Sequence, residues 1–144
     1  MTPKLIDSLY TEAMLLADES RGYFDKQGRE ERMALDPLVR VGFSCESLKV
    51  TTRLMHIIAW LLTQRAVEAG ELTYGQARTP ARRLGEAAVS DSVLLAKLPE
   101  SALTLIRASE ELYARVKRLE EGTTGTEPQS SPARSLMSRL ERAF

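Results

Sequence analysis

The stretch 36–70 constrains this chain most, because it reads as one long helix. Asp36-Pro37 supplies an N-cap residue followed by a proline at the first helical position, and Gly70 is the residue type that ends helices. Stepping by four and three through the stretch meets Val41, Cys45, Leu48, Thr52, Met55, Ala59, Leu62, Ala66 and Ala69, all apolar or small. That is a heptad seam, and it predicts a core-facing stripe. The other edge carries Glu46, Lys49, Arg53, His56, Trp60 and Gln64 and reads as the polar side. Toward the middle the apolar arc widens to Leu54, Ile58 and Leu61. A helix apolar over so much of its circumference needs cover on more than one side. Two further helices of one chain cover part of it. A second copy is the simplest cover for the rest, which predicts a homodimer with Leu54, Ile58, Leu61 and Leu62 at the interface or in the core.

A membrane span is excluded by length. It needs about 20 apolar residues, and Arg53 and Arg65 bracket a much shorter run. No signal peptide is expected before it, because the N-terminus enters an amphipathic, acid-containing segment at once. With 144 residues the chain makes one domain and a real core. Twenty basic and 20 acidic residues give a formal net charge of zero, so nothing advertises a nucleic-acid partner. The single Cys45 excludes an internal disulfide, fits a reducing compartment, and by its place on the seam is expected in the core.

Two more long helices flank the central one. Thr2-Pro3 starts the first, with Leu5, Ile6, Leu9, Tyr10, Ala13, Leu16, Ala17, Tyr23 and Phe24 on one face. Asp7, Thr11, Glu12, Asp18 and Glu19 form a solvated face opposite. Residues 25–36 read as a charged, mobile connector with a stop at Gly28. Thr73 and Gln76 have capping-box spacing, Pro80 interrupts the helical pattern there, and Ser90-Asp91-Ser92 punctuates the chain again. Pro99 opens the third long helix, where Leu98, Ala102, Leu105, Ser109, Leu112, Val116 and Leu119 make a second heptad seam ending at Gly122. Residues 122–132 hold no large apolar side chain and are expected to be disordered. After them Leu136, Met137, Leu140 and Phe144 share one helical face, a short amphipathic segment read as partner-binding. The expected architecture is an all-α, antiparallel three-helix bundle over 1–121, with short connecting helical segments, and a flexible tail over 122–144.

Catalytic machinery is not evident. His56 is the one histidine, and no second His or Cys stands at ligand spacing, so neither a metal site nor a cofactor is expected. Its place between Arg53 and Trp60 suits a partner-binding surface better than general-base chemistry. Acid pairs such as Glu110-Glu111 and Glu120-Glu121 read as solvated helix surface. Residues 72–88, with Arg78, Arg82 and Arg83, faintly resemble a helix-turn-helix, but Pro80 falls inside the motif. A DNA-binding regulator and a purely structural dimeric scaffold stand as the alternative readings.

The string LKVTTRLMHIIAWLLTQRAVEAGEL over 48–72 resembles the signature segment of the RcdA family, the bacterial regulators of CtrA degradation. Glu46-Ser47-Leu48, Thr52-Arg53-Leu54-Met55, Ala59-Trp60-Leu61-Leu62, Gln64-Arg65-Ala66 and Gly70-Glu71 carry the resemblance, with Ser20-Arg21-Gly22-Tyr23-Phe24-Asp25 at the end of the first helix. The resemblance implies a cytoplasmic homodimer of three-helix bundles with disordered C-terminal tails. It also implies a non-enzymatic adaptor in cell-cycle-regulated proteolysis. Such an adaptor binds ClpXP protease primed by a response-regulator-like protein and tethers substrates or further adaptors.

Overall fold

The computed structural model describes residues 2–125. The expectations for residues 126–144, including Leu136, Met137, Leu140 and Phe144, lie outside the described residues. Among the described residues every regular element is helical, in the order α1 (Pro3–Gly22), a π turn (Tyr23–Gln27), α2 (Gly28–Met33), α3 (Pro37–Glu68), α4 (Tyr74–Ala77), a 3-10 turn (Pro80–Arg82), α5 (Ser92–Leu95) and α6 (Glu100–Gly125).

The helix ends follow the sequence signals closely. Thr2 caps α1, its hydroxyl accepting from the Leu5 N–H at 3.2 Å. Asp36 is the N-cap of α3, but its carboxylate makes no capping bond; its carbonyl accepts the Arg40 N–H at 2.8 Å. Gly70 takes φ +77°, the left-handed conformation that glycine adopts without strain just beyond a helix end. Thr73 and Gln76 form a complete capping box at α4. Two expectations are corrected. Residues 25–36 are not a loose connector. The chain continues helically through the π turn into α2, and Gly28 stays inside because its missing Cβ leaves room for the Tyr23 carbonyl and ring. Gly122 does not end α6, which runs to Gly125, with the Thr123 hydroxyl donating to the Leu119 and Glu120 carbonyls.

The three long helices pack as a bundle, with α1 and α6 both against α3. α1 runs antiparallel to α3, as Asp7 meets Arg65 at 2.9 Å while Ser20 lies beside Leu54 and Ser47. α6 instead runs parallel to α3, which corrects the antiparallel arrangement expected for the bundle. Arg53 meets Ser109, and further along Trp60 and Gln64 line one small cleft with Glu120 and Thr123. A short loop would reverse the chain. Here the long connection 70–99 returns along the whole of α3 before α6 begins. This return strap lies flat on the bundle. Leu94 packs onto Gly42, where a Cβ would stand 2.5 Å from the leucine methyl, and Gly85 covers the His56 ring, where a Cβ would stand 2.8 Å from it. Both glycines are required by close approach rather than by backbone conformation.

Ile6, Leu9 and Ala13 of α1 meet Phe43, Val50, Leu54, Ile57, Trp60 and Leu61 of α3 in the core. α6, with Leu98 just before it, contributes the expected seam: Leu98, Ala102, Leu105, Ser109, Leu112 and Val116 are buried, with Leu119 packed at its end. At the far end Tyr23, Phe24 and Phe43 cluster with centroids 5.0 to 6.2 Å apart, Phe24 edge-to-face with both others and Tyr23 tilted against Phe43.

Candidate interaction site

α3 carries two four-three ladders, and the one facing inward is not the one that the apolar pattern selects. The buried ladder is Phe43, Glu46, Val50, Arg53, Ile57 and Trp60. It includes the edge expected to be polar, so Arg53 and Trp60 are buried, at 2% and 3% exposure, and do not form a partner-binding surface. His56 is half-buried beneath Gly85. The ladder expected in the core is outside. Val41 is 62% exposed, Leu48 67%, Met55 64% and Leu62 46%, with Cys45, Thr52 and Ala59 exposed between them. Cys45 is therefore a surface thiol, not a core residue. Leu54 and Leu61 belong to the monomer core, Ile58 is half-buried, and Leu62 stands on the outer stripe.

The inward charges are tolerated because each has partners. The Arg53 guanidinium donates to the Ser109 hydroxyl at 3.2 Å, the Ala88 carbonyl at 3.0 Å and the Ser90 hydroxyl at 2.7 Å. Ser90 in turn donates to the Glu46 carboxylate. Lys49 Nζ stands 2.9 Å from Glu46 and donates to the Val89 carbonyl at 3.1 Å. Glu46 and Arg53, which are seven residues apart on one face, thus clasp the strap through Ser90. Below the clasp, Tyr113 donates to the Gly85 carbonyl at 2.6 Å, and Glu120 accepts the Leu84 N–H at 2.5 Å. Buried charges survive only when they are paired and hydrogen-bonded, and this clasp meets that condition. The sequence signal for it was Phe43, Val50 and Ile57 at steps of seven, which marks an apolar ladder running through Glu46 and Arg53.

The helix-turn-helix reading of 72–88 is corrected as well. After the 3-10 turn at Pro80–Arg82 the backbone is irregular until α5, so no second helix stands where a recognition helix would.

A groove of about 410 Å³ flanks the outer stripe on the α1 side, lined by Met14, Ala17, Phe24, Leu54, Met55 and Ile58. Asp18, Arg21 and Asp25 stand around it, and Ser20 lies in it. The acidic face of α1 is only partly left to solvent. Glu12 pairs with Arg115 at 2.8 Å and Asp7 with Arg65, whose guanidinium also sits 4.1 Å from the Tyr10 ring centre. Exposed pairs of this kind contribute about 0–1 kcal/mol each, so they steer packing more than they stabilise it. Among the described residues no group of three or more His, Cys, Asp or Glu side chains is placed to hold a metal ion, and no helix is long and apolar enough to cross a membrane.

The fold and its surface define an all-α bundle that clasps a strap across its surface and shows an apolar stripe outside. A family model described as "Protein of unknown function (DUF1465)" matches residues 1–144. The crystal structure of RcdA from Caulobacter crescentus CB15 is similar at 34% identity and a TM-score of 0.65, over 83% of this chain and 90% of that one. No curated protein sequence matches. The chain belongs to this DUF1465 family of RcdA-like helical bundles.

Proposed function

We propose that the protein is a non-enzymatic adaptor in cell-cycle-controlled protein degradation. In this reading it works in the cytoplasm as a homodimer and tethers substrates or further adaptors to a ClpXP protease primed by a response-regulator-like protein. The likeness to RcdA supports the adaptor class. The observation that carries the reading is the outer stripe of α3. Val41, Leu48, Met55 and Leu62 repeat every seven residues and stand roughly half to two-thirds exposed. A lone apolar side chain on a surface needs no explanation, but a continuous helical row of them marks an interaction site. Heptad spacing lets such a row pack against a copy of itself, and a two-fold axis sets the same patch on both partners.

The division of labour rests on this arrangement. The bundle supplies the dimer, and the segment after it, with Leu136, Met137, Leu140 and Phe144, supplies a partner contact. The test is reconstituted degradation. Added protein should accelerate breakdown of a substrate by primed ClpXP, and affinity capture from the source cell should recover ClpX. No recovery of ClpX together with no change in degradation rate overturns the reading.

A further inference from the structure

The groove between α1 and α3 contains a polar group without a partner. Ser20 is 5% exposed, and its hydroxyl makes no hydrogen bond among the described residues. A buried hydroxyl left unpaired costs about 1–3 kcal/mol, so such groups are normally satisfied by something. Around Ser20 the wall is mostly apolar, from Met14, Ala17, Phe24, Leu54, Met55 and Ile58, with Ser47 and Thr51 among them, and Asp18, Arg21 and Asp25 leave the rim with a net negative charge. Asp18 is already paired with Arg21 at 3.4 Å, whereas Asp25 makes no ion pair among the described residues.

One segment of the same chain matches these features in chemistry, size and reach. Residues 133–144 put Leu136, Leu140 and Phe144 at successive helical turns, and they carry Arg134, Arg139 and Arg142 against a single Glu141. Their net charge is therefore opposite to that of the rim. At 1.5 Å per residue the anchors span about 12 Å, and the groove walls, 14–25 on α1 and the π turn after it and 47–58 on α3, each span about 16 Å. The end of α6 lies beside Gln64, because Thr123 and Gln64 line the same cleft. From Gln64 to Ile58 is about 9 Å along α3, plus about one helix diameter of 10 Å around it. Residues 126–135 can span up to about 33 Å when extended.

We propose that residues 133–144 dock in cis as one amphipathic helix in the groove between α1 and α3. Leu136, Leu140 and Phe144 anchor it on Met14, Phe24, Met55 and Ile58, and Arg139, on the flank of that anchor face, reaches toward Asp18, Asp25 and the Ser20 hydroxyl, while Ser138 stands on the opposite, outer face. Neighbouring walls thereby order a helix too short to persist alone. While docked, the anchors are withheld from any other protein. This inference goes beyond the adaptor role and does not depend on it, since the contact is read without a protease.

The test places a nitroxide on Ser138→Cys in a full-length Cys45→Ser background and reads amide line broadening by NMR. Broadening is expected at Ala17, Ser20, Thr51 and Met55. It should be lost on adding Leu140→Asp, which lies outside the bundle, and weakened by Asp18→Lys with Asp25→Lys or by high salt. A mixture of isotope-labelled, spin-free protein with unlabelled, spin-labelled protein separates the sources. Broadening of the groove in that mixture means that the tail of a second copy fills it and overturns docking in cis. Broadening absent from the groove, or confined to other faces, overturns the proposal as well.

Discussion

Arg53 of α3 and Ser109 of α6 meet at 3.2 Å inside the bundle, 56 residues apart in sequence and both at 2% exposure or less. That contact places a guanidinium on the axis between two helices that run parallel. The remaining donors of Arg53 then reach the strap at Ala88 and Ser90, and Ser90 reaches Glu46. One side chain therefore fixes the register of α3, α6 and the return connection together.

Removing Arg53 alone should cost about 3–5 kcal/mol, because Glu46 stays buried after losing the Ser90 geometry that Arg53 holds. Arg53→Met measures this by chemical denaturation. Glu46→Gln combined with Arg53→Met should be less destabilising than the sum of the two single changes, since the buried carboxylate is then gone. Strict additivity would show that the two residues do not act through a shared clasp. Limited proteolysis adds a local readout: cleavage within 85–91 should accelerate in Arg53→Met more than cleavage within α1.

Introducing charge on the outer stripe should separate association from folding. Leu48 and Met55 are 67% and 64% exposed, so Leu48→Glu with Met55→Glu removes little monomer packing. Substitutions at exposed positions usually change stability by less than about 0.5 kcal/mol. Sedimentation should show a dimer for the wild type and a monomer for the double variant, with the helical circular dichroism kept. A wild-type protein that sediments as a monomer at micromolar concentration removes the homodimer from the proposed function.

Much of this fold is legible in the sequence, and the main error has a physical cause. Thr2, Asp36, Gly70 and the Thr73–Gln76 box mark helix ends because caps act within one turn and need no tertiary partner. The seam on α6 reads correctly because it holds only apolar and small residues, and all of it packs inward. On α3 the same pattern reading chooses the wrong face. Two ladders compete there, and the inner one carries Glu46 and Arg53, which look like surface charges until Ser90 and Ser109 come into position. Those partners lie on the strap and on α6, tens of residues away, and no local periodicity reports them. The stripe of Val41, Cys45, Leu48, Thr52, Met55, Ala59 and Leu62 remains a meaningful pattern, but it is one that the described residues leave uncovered. The candidate groove was less legible still, because Ser20, Met14 and Ile58 meet only once α1 crosses α3.

Gly85 tests how tightly the strap is held. A methyl group at this position would stand 2.8 Å from the His56 ring, with the Gly85 carbonyl already fixed by Tyr113 at 2.6 Å. Gly85→Ala should therefore destabilise by about 1–3 kcal/mol, the usual scale for overpacking. Adding His56→Ala should recover part of that loss by vacating the space. Failure of the second change to help would place the strain elsewhere than at the ring.

Alkaline pH should weaken the bundle through Tyr23. Its phenol is 6% exposed and donates to the Glu31 carboxylate. Burial first, and then the Glu31 hydrogen bond and charge, raise its pKa well above the ordinary value of 10.0. In the unfolded chain the phenol ionises near the ordinary value, so above pH of about 10 the unfolded state binds fewer protons than the folded one. Stability then falls as pH rises, since its slope with pH equals, up to a constant, the protons bound by the unfolded state minus those bound by the folded state. The contribution is fully present below pH of about 10 and is lost progressively from there upward. Denaturant midpoints at pH 8 and pH 11 should differ more for the wild type than for Tyr23→Phe, in which the titrating group is gone. At pH 8 the same variant should lose about 1–2 kcal/mol through the unmade bond to Glu31. Lysine and arginine titration is common to both proteins and cancels in the difference. Equal pH dependence in the two proteins would mean that the Tyr23 hydroxyl titrates as freely in the folded bundle as in the unfolded chain.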